Sequence, residues 1–195
     1  PRARATSAIV VSDVPAGVMK PTQDDSPPVH ATVAWFTGLS GAGKSTIAAR
    51  AAELLIEQGR KVLTLDGDVV RAASQPPLGF SREDIYENNR RFVALCQSSI
   101  VEYDIILVPK ISPFQDQRAT ARREFGDAYV EVYIRASLDE VMRRDPKGLY
   151  RDAKEGRLPG MVGYAAEVPF EPPDAPELIL DTEQYSLEAC ARKLA

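Results

Sequence analysis

The stretch Gly38–Thr46, GLSGAGKST, constrains this chain more than any other. Its first eight residues match G-x-x-x-x-G-K-[ST] in full. Small residues there let successive backbone N–H groups turn inward around phosphate oxygens, and a following helix adds the positive end of its dipole. The flanks supply the context the motif needs. TVAWFTG, Thr32–Gly38, is a β-branched and aromatic run ending in glycine, and KSTIAARAAELLIEQG has apolar residues at helical spacing before Gly59 as a C-terminal cap. Strand, glycine loop and helix together read as a phosphate-binding loop formed by Gly38, Leu39, Ser40, Gly41, Ala42, Gly43, Lys44, Ser45 and Thr46. Lys44 is placed to reach the β- and γ-phosphates of ATP, and the Ser45 hydroxyl to ligate Mg²⁺.

The remaining periodicity repeats the same alternation. KVLTLDGD reads as a second buried strand, DIILVPKISP as a third, AYVEVYIRA as a fourth and PELILDT as a fifth. Between and after them, SREDIYENNRRFVALCQSSIVEY, SLDEVMRRD and SLEACARKL read as helices, with Ser81 and Ser137 as N-caps. Strands alternating with helices predict an α/β protein of the P-loop NTPase fold: a five-stranded parallel sheet, helices on both faces. Residues 145–173 lack a strand pattern but hold glycines, prolines and charges, the composition of a mobile lid.

In such sheets ligands gather beyond the carboxyl ends of the strands, where Asp66, Asp68, Arg71, Ile111 and Ser112 all fall. A carboxylate at this edge can take a hydroxyl proton or hold metal-bound water, while an arginine grips an anionic acceptor. This makes a kinase the natural reading. No N-K-x-D-type guanine-reading sequence is present, which disfavours a GTPase.

Composition narrows the partners. The formal charge of −4 gives no overall basic field for nucleic acid, and no apolar run approaches the ~20 residues of a membrane span. A cytoplasmic location is expected. Cys96 and Cys190 read as buried free thiols, and the single histidine, His30, receives no role. Residues 1–31 carry five prolines and the run TQDDS, so they read as an extended linker, with the kinase domain at residues 32–195.

From Val33 to Leu194 the chain resembles adenylylsulfate kinases, in the segments WFTGLSGAGKST, LDGDVVR, LGFSREDIYENNRR, ISPF, RDPKGLY and PELILDT. The resemblance implies MgATP-dependent phosphorylation of the 3′-hydroxyl of adenosine 5′-phosphosulfate (APS), giving PAPS in sulfate assimilation. It also implies a homodimer or higher homo-oligomer, in some relatives fused to ATP sulfurylase. Carried across by position, Asp68 becomes the base and Asp66 the metal-linked acid, beside Lys44. Arg71, Phe80, Asn88, Ile111 and Ser112 become acceptor contacts, and Arg144, Lys147, Leu149 and Tyr150 nucleotide contacts from the lid. Some accounts of the family phosphorylate the serine at position 112; direct transfer is favoured here, because in-line attack needs only positioning and electrostatics.

The departures concentrate on the acceptor side. Val69 replaces the usual Asn, and Ala72, Ala73 and Ser74 replace His-Gly-Leu. Ile85 stands where a second acceptor-gripping arginine is common, and Met161 where an aromatic closes over the acceptor adenine. Met161 can still cover an adenine face through its polarizable thioether. Three readings remain open from sequence: an adenylylsulfate kinase with a loosened pocket, a kinase of another nucleotide-like acceptor, or a nucleotide-binding regulatory domain without turnover.

Overall fold

The computed structural model describes residues 31–72, 78–79 and 81–195; the side chains of Arg71 and Ala72 are not among what is described. Phe80, His30 and the linker expected before residue 31 lie outside the described residues. In chain order the elements are β1 Thr32–Thr37, α1 Lys44–Glu57, β2 Val62–Thr64, α2 Gly67–Ala72, α3 Arg82–Ser99, β3 Ile105–Val108, α4 Gln115–Phe125, β4 Tyr129–Arg135, α5 Leu138–Arg144, α6 Leu149–Lys154, β5 Leu178–Asp181 and α7 Leu187–Leu194. The sheet has five strands in the order β2-β3-β1-β4-β5, and every pairing is parallel.

Side-chain alternation along the strands sorts the helices into two layers. Val33 and Trp35 of β1, with Ile106 and Val108 of β3, pack against Phe92, Val93 and Cys96 of α3 and Ala121 and Phe125 of α4. Ala34 and Phe36, with Leu107, Val132, Ile134 and Leu180, pack against Ile47 and Ala48 of α1 and Cys190 of α7. Both faces are therefore apolar, as a central parallel strand requires. Burying a side chain the size of Phe36 contributes roughly 1.5–3 kcal/mol. Both cysteines are free and buried, as their placement in helical patterns suggested.

Local signals act where the sequence places them. Ser81 Oγ accepts from the Asp84 amide at 3.1 Å, Ser137 Oγ accepts from the Glu140 amide at 3.3 Å, and the Arg60 amide reaches back to the Leu55 carbonyl past Gly59. A third, smaller cluster joins Val162 and Val168 of the 145–173 segment to Ile85, Phe114 and Ile111. That cluster seats the segment over the carboxyl edge of the sheet. Among the described residues no helix is long and apolar enough to cross a membrane.

Candidate functional site

Gly38 leaves β1 with φ +144°, and a Cβ there would lie 2.4 Å from the Ile134 carbonyl oxygen on β4. Only glycine lets the loop depart that close to the neighbouring strand. Its amide donates to the Ile111 carbonyl, which ties the start of the phosphate loop to the end of β3. Lys44, the first residue of α1, is buried and folds back over the loop, donating to the Gly38 and Leu39 carbonyls at 2.9 and 2.7 Å. Burial, reinforced by repulsion from Lys147, pushes its ammonium down to about 7.

Ser45, one residue on, points at the second strand's acids. Its hydroxyl donates to Asp66 Oδ2 at 2.6 Å, while Asp66 Oδ1 accepts from the Asp68 amide at 2.9 Å. Asp66 thereby caps α2 and is committed to backbone and hydroxyl. The Asp68 carboxylate is exposed and pairs with Lys147 of the lid segment. These groups stand side by side because the loops after β1 and β2 leave the same sheet edge.

The connection from β3 to α4 supplies the facing wall. Ser112 has φ +45°, a strained value for a residue with a Cβ, and the surroundings hold it there. Its hydroxyl accepts from Trp35 Nε1 at 2.9 Å, and its carbonyl accepts from Thr37 Oγ1 at 3.1 Å and from Arg118 Nη1 at 2.7 Å. Arg118 is itself buried: it pairs with Glu131 at 2.6 Å and donates to the Glu171 carbonyl at 2.8 Å. One guanidinium thus binds β4, the connection after β3 and the returning 145–173 segment.

A single cavity of about 450 Å³ brings these pieces together. Its lining includes Ser40, Gly41, Gly43, Lys44, Ser45 and Thr46 on one side, Asp66 and Asp68 between, and Ile85, Asn88, Ile111 and Ser112 on the other. Lys147 and Leu149 line it from the 145–173 segment. Asn88 is buried, and its Oδ1 has no hydrogen-bond partner.

Not every expected residue takes the place assigned to it. Met161, expected over an acceptor adenine, is buried in the core cluster of α1 with Leu39 and Tyr150, and it is the next residue, Val162, that lines the cavity. Two residues on, Gly163 approaches Leu39 so closely that a Cβ would lie 2.3 Å from Leu39 Cδ2, so the segment carrying Met161 packs directly on Leu39. Arg144 does not line the cavity but is held by Glu140 at 2.7 Å and by the Thr182 hydroxyl and carbonyl at 2.9 Å. Tyr150 is buried and donates to the Ser40 carbonyl at 3.0 Å, supporting the phosphate loop from behind. Gly38, Leu39 and Ala42 of the loop are buried and do not line the cavity. Arg71 is in α2 with its side chain outside the described residues, as is Phe80 entirely.

Among the residues of this region that carried no assignment from sequence are Lys110, Arg118 and Val162. Lys110 immediately precedes ISPF, so its position was readable, but a lysine ending a buried strand has no pattern that marks it.

The chain matches the family model described as adenylylsulphate kinase over residues 30–181. It is 45% identical to a probable adenylyl-sulfate kinase of Bacillus subtilis over 165 residues, covering 84% of this chain and 82% of that one. The solved structure of the Mycobacterium tuberculosis APS kinase in complex with AMPPNP and APS superposes with a TM-score of 0.80 at 37% identity, over 86% of this chain and 96% of that one. A hexameric APS kinase from Thiobacillus denitrificans superposes with a TM-score of 0.60 at 29% identity, over 87% of this chain and 29% of that one.

Proposed function

The chain belongs to the adenylylsulphate kinase family, and from that premise we propose that it transfers the γ-phosphoryl group of ATP to the 3′-hydroxyl of adenosine 5′-phosphosulfate. The observation that carries this reading is the shared cavity: a phosphate loop on one wall, an acceptor wall opposite, and two carboxylates between them. Donor and acceptor are held in one space, so attack is intramolecular in effect.

The hydroxyl oxygen attacks the γ-phosphorus in line, and the bond from that phosphorus to the β–γ bridging oxygen breaks. ADP leaves with the electron pair, and the hydroxyl proton passes to Asp68. Asp68 suits this role because its carboxylate is exposed, lines the cavity and, among the described residues, pairs with a lysine that phosphate can attract away. Lys44 withdraws from the two loop carbonyls to the β- and γ-phosphates, where its charge is worth more than at neutral acceptors. Ser112, with its hydroxyl already accepting from the Trp35 indole, serves as a wall for the acceptor instead of a phosphoryl carrier.

Ser45 Oγ and Asp66 Oδ2, 2.6 Å apart on the cavity wall, offer the hard oxygen atoms that Mg²⁺ takes. Mg²⁺ held by Ser45 directly and by Asp66 through water would neutralise charge developing on the β- and γ-phosphates. Homo-oligomeric assembly, as in the hexameric neighbour, completes the proposal.

The deciding experiment follows ATP consumption by the purified protein with Mg²⁺ and APS, against adenosine 5′-monophosphate and a panel of other nucleotides. Selective turnover of APS is expected. Turnover of another acceptor, or ATP binding with no turnover at all, would overturn the assignment. Sedimentation of the same preparation reads the oligomeric state.

A further inference from the structure

The acceptor wall of the cavity carries a cation, Lys110, that the mechanism above does not use. It follows β3, is only 7% exposed, and lines the cavity beside Ile85, Asn88 and Ile111. Its ammonium donates to Asn89 Oδ1 at 3.1 Å and lies 4.6 Å from the Phe92 ring centroid and 5.1 Å from that of Trp35. The contacts hold a positive charge at a fixed point in surroundings of low dielectric.

The other two lysines of the cavity serve its opposite side, Lys44 at the loop carbonyls and Lys147 at Asp68. Near Lys110 the wall is Ile85, which offers a ligand no charge, and Asn88, whose Oδ1 is buried without a partner. The first turn of α2 packs on Lys110: a Cβ on Gly67 would meet Lys110 Cβ at 3.1 Å.

We propose that Lys110 is a specificity-determining residue, selecting acceptors by the anionic group on their 5′ side. The inference rests on the function proposed above and names the side chain that recognises the phosphosulfate. A preorganised charge in a dry pocket attracts a matching anion strongly and leaves a neutral competitor with nothing in return.

The test titrates the full-length protein with APS and, separately, with adenosine, which has the same base and sugar without the anion. Two variants are compared with the unaltered protein: Lys110→Met removes the charge at similar size, and Asn89→Asp places a carboxylate within reach of the ammonium and quenches it. Each is expected to weaken APS binding about tenfold or more, or about 1.4 kcal/mol, with adenosine and ATP affinities changed by less than about twofold. If one variant fails to fold, the other decides. Unchanged APS affinity, or equal losses for APS and adenosine, overturns the role of Lys110. An unaltered protein that does not prefer APS to adenosine overturns the functional reading itself, and the selection by Lys110 with it.

Discussion

Lys147 of the lid segment and Asp68 at the start of α2 form an ion pair across 79 positions of sequence. Both side chains are more than half exposed, so the pair adds little to stability and is easily exchanged. On the proposed function, incoming phosphate would offer Lys147 a better partner and release Asp68 toward the acceptor. Asp68→Asn should therefore lower kcat by roughly 10²- to 10⁴-fold, the usual worth of a general base, while the ATP dissociation constant stays within about threefold. Steady-state rates and a nucleotide titration on the same preparation read both; unchanged turnover would remove Asp68 as the base.

Lys44 gives the site a pH signature. Burial holds its ammonium at about 7 in the free protein against 10.5 for an ordinary lysine, so the unfolded chain binds more protons than the folded one between those values. Stability contributed by this group accordingly rises with pH through that window, and below about 7 the full cost of a buried charge is present. The phosphates of ATP restore the charged form. Binding of a non-hydrolysable ATP analogue at pH 8 should take up close to one proton per site, roughly 0.9 if the free pKa is near 7 and the bound one well above 8. Titration calorimetry in buffers of unequal ionisation enthalpy measures this uptake. It should fade at pH 6 and vanish in Lys44→Met, and its absence at pH 8 would contradict the account.

Much of this site was legible because backbone chemistry writes itself into sequence. A loop that must turn its amides inward needs glycines at fixed spacing, and the sheet edge collects whatever follows each strand, so Lys44, Ser45, Asp66, Asp68, Ile111 and Ser112 could all be named in advance. Helix α4 was not foreseen. Its buried face is made by Gln117 and Arg118 as well as Ala121 and Phe125, which breaks the apolar period that announces a helix. Short α2 and α6 escaped for a related reason: one begins at a glycine and both are a turn or two long, below the length at which periodicity speaks. The order of strands in the sheet rests on long-range pairing that no local pattern records.

Ser112 separates two chemical routes. Its hydroxyl is buried and accepts the Trp35 N–H, so Ser112→Ala should leave turnover within about tenfold if phosphate passes directly from ATP to the acceptor. The indole N–H then lacks a partner, and the variant should lose about 1–3 kcal/mol in urea unfolding. Loss of turnover in a well-folded variant would instead favour a phosphoserine route.

Arg118 is expected to matter more for stability than any surface ion pair. Its guanidinium is 3% exposed and serves Glu131, the Ser112 carbonyl and the Glu171 carbonyl together. Arg118→Met leaves the Glu131 carboxylate buried with its best partner gone, and should cost about 3–5 kcal/mol by chemical denaturation. Arg143→Met, which breaks an exposed pair with Glu140, should cost less than about 1 kcal/mol. Equal effects from the two would mean that the buried network is not holding the acceptor-side loop.

Met161 distinguishes packing from recognition. Position in the sequence assigns it to the face of an acceptor adenine, yet its side chain is 6% exposed in the core beneath the phosphate loop, with Leu39 and Tyr150. Truncation there removes buried methylenes and the thioether, so Met161→Ala should destabilise the protein by about 2–5 kcal/mol, less where the segment can settle into the space. APS affinity should hardly change, because no Met161 atom is needed on the cavity wall. Val162 occupies that wall instead, next to Ile85 and Asn88 in the lining, and Val162→Phe should obstruct the acceptor while leaving ATP affinity intact. Thermal unfolding and APS titration of the two variants give opposite patterns if this holds. A Met161→Ala protein of full stability but weakened APS binding would return the thioether to the adenine.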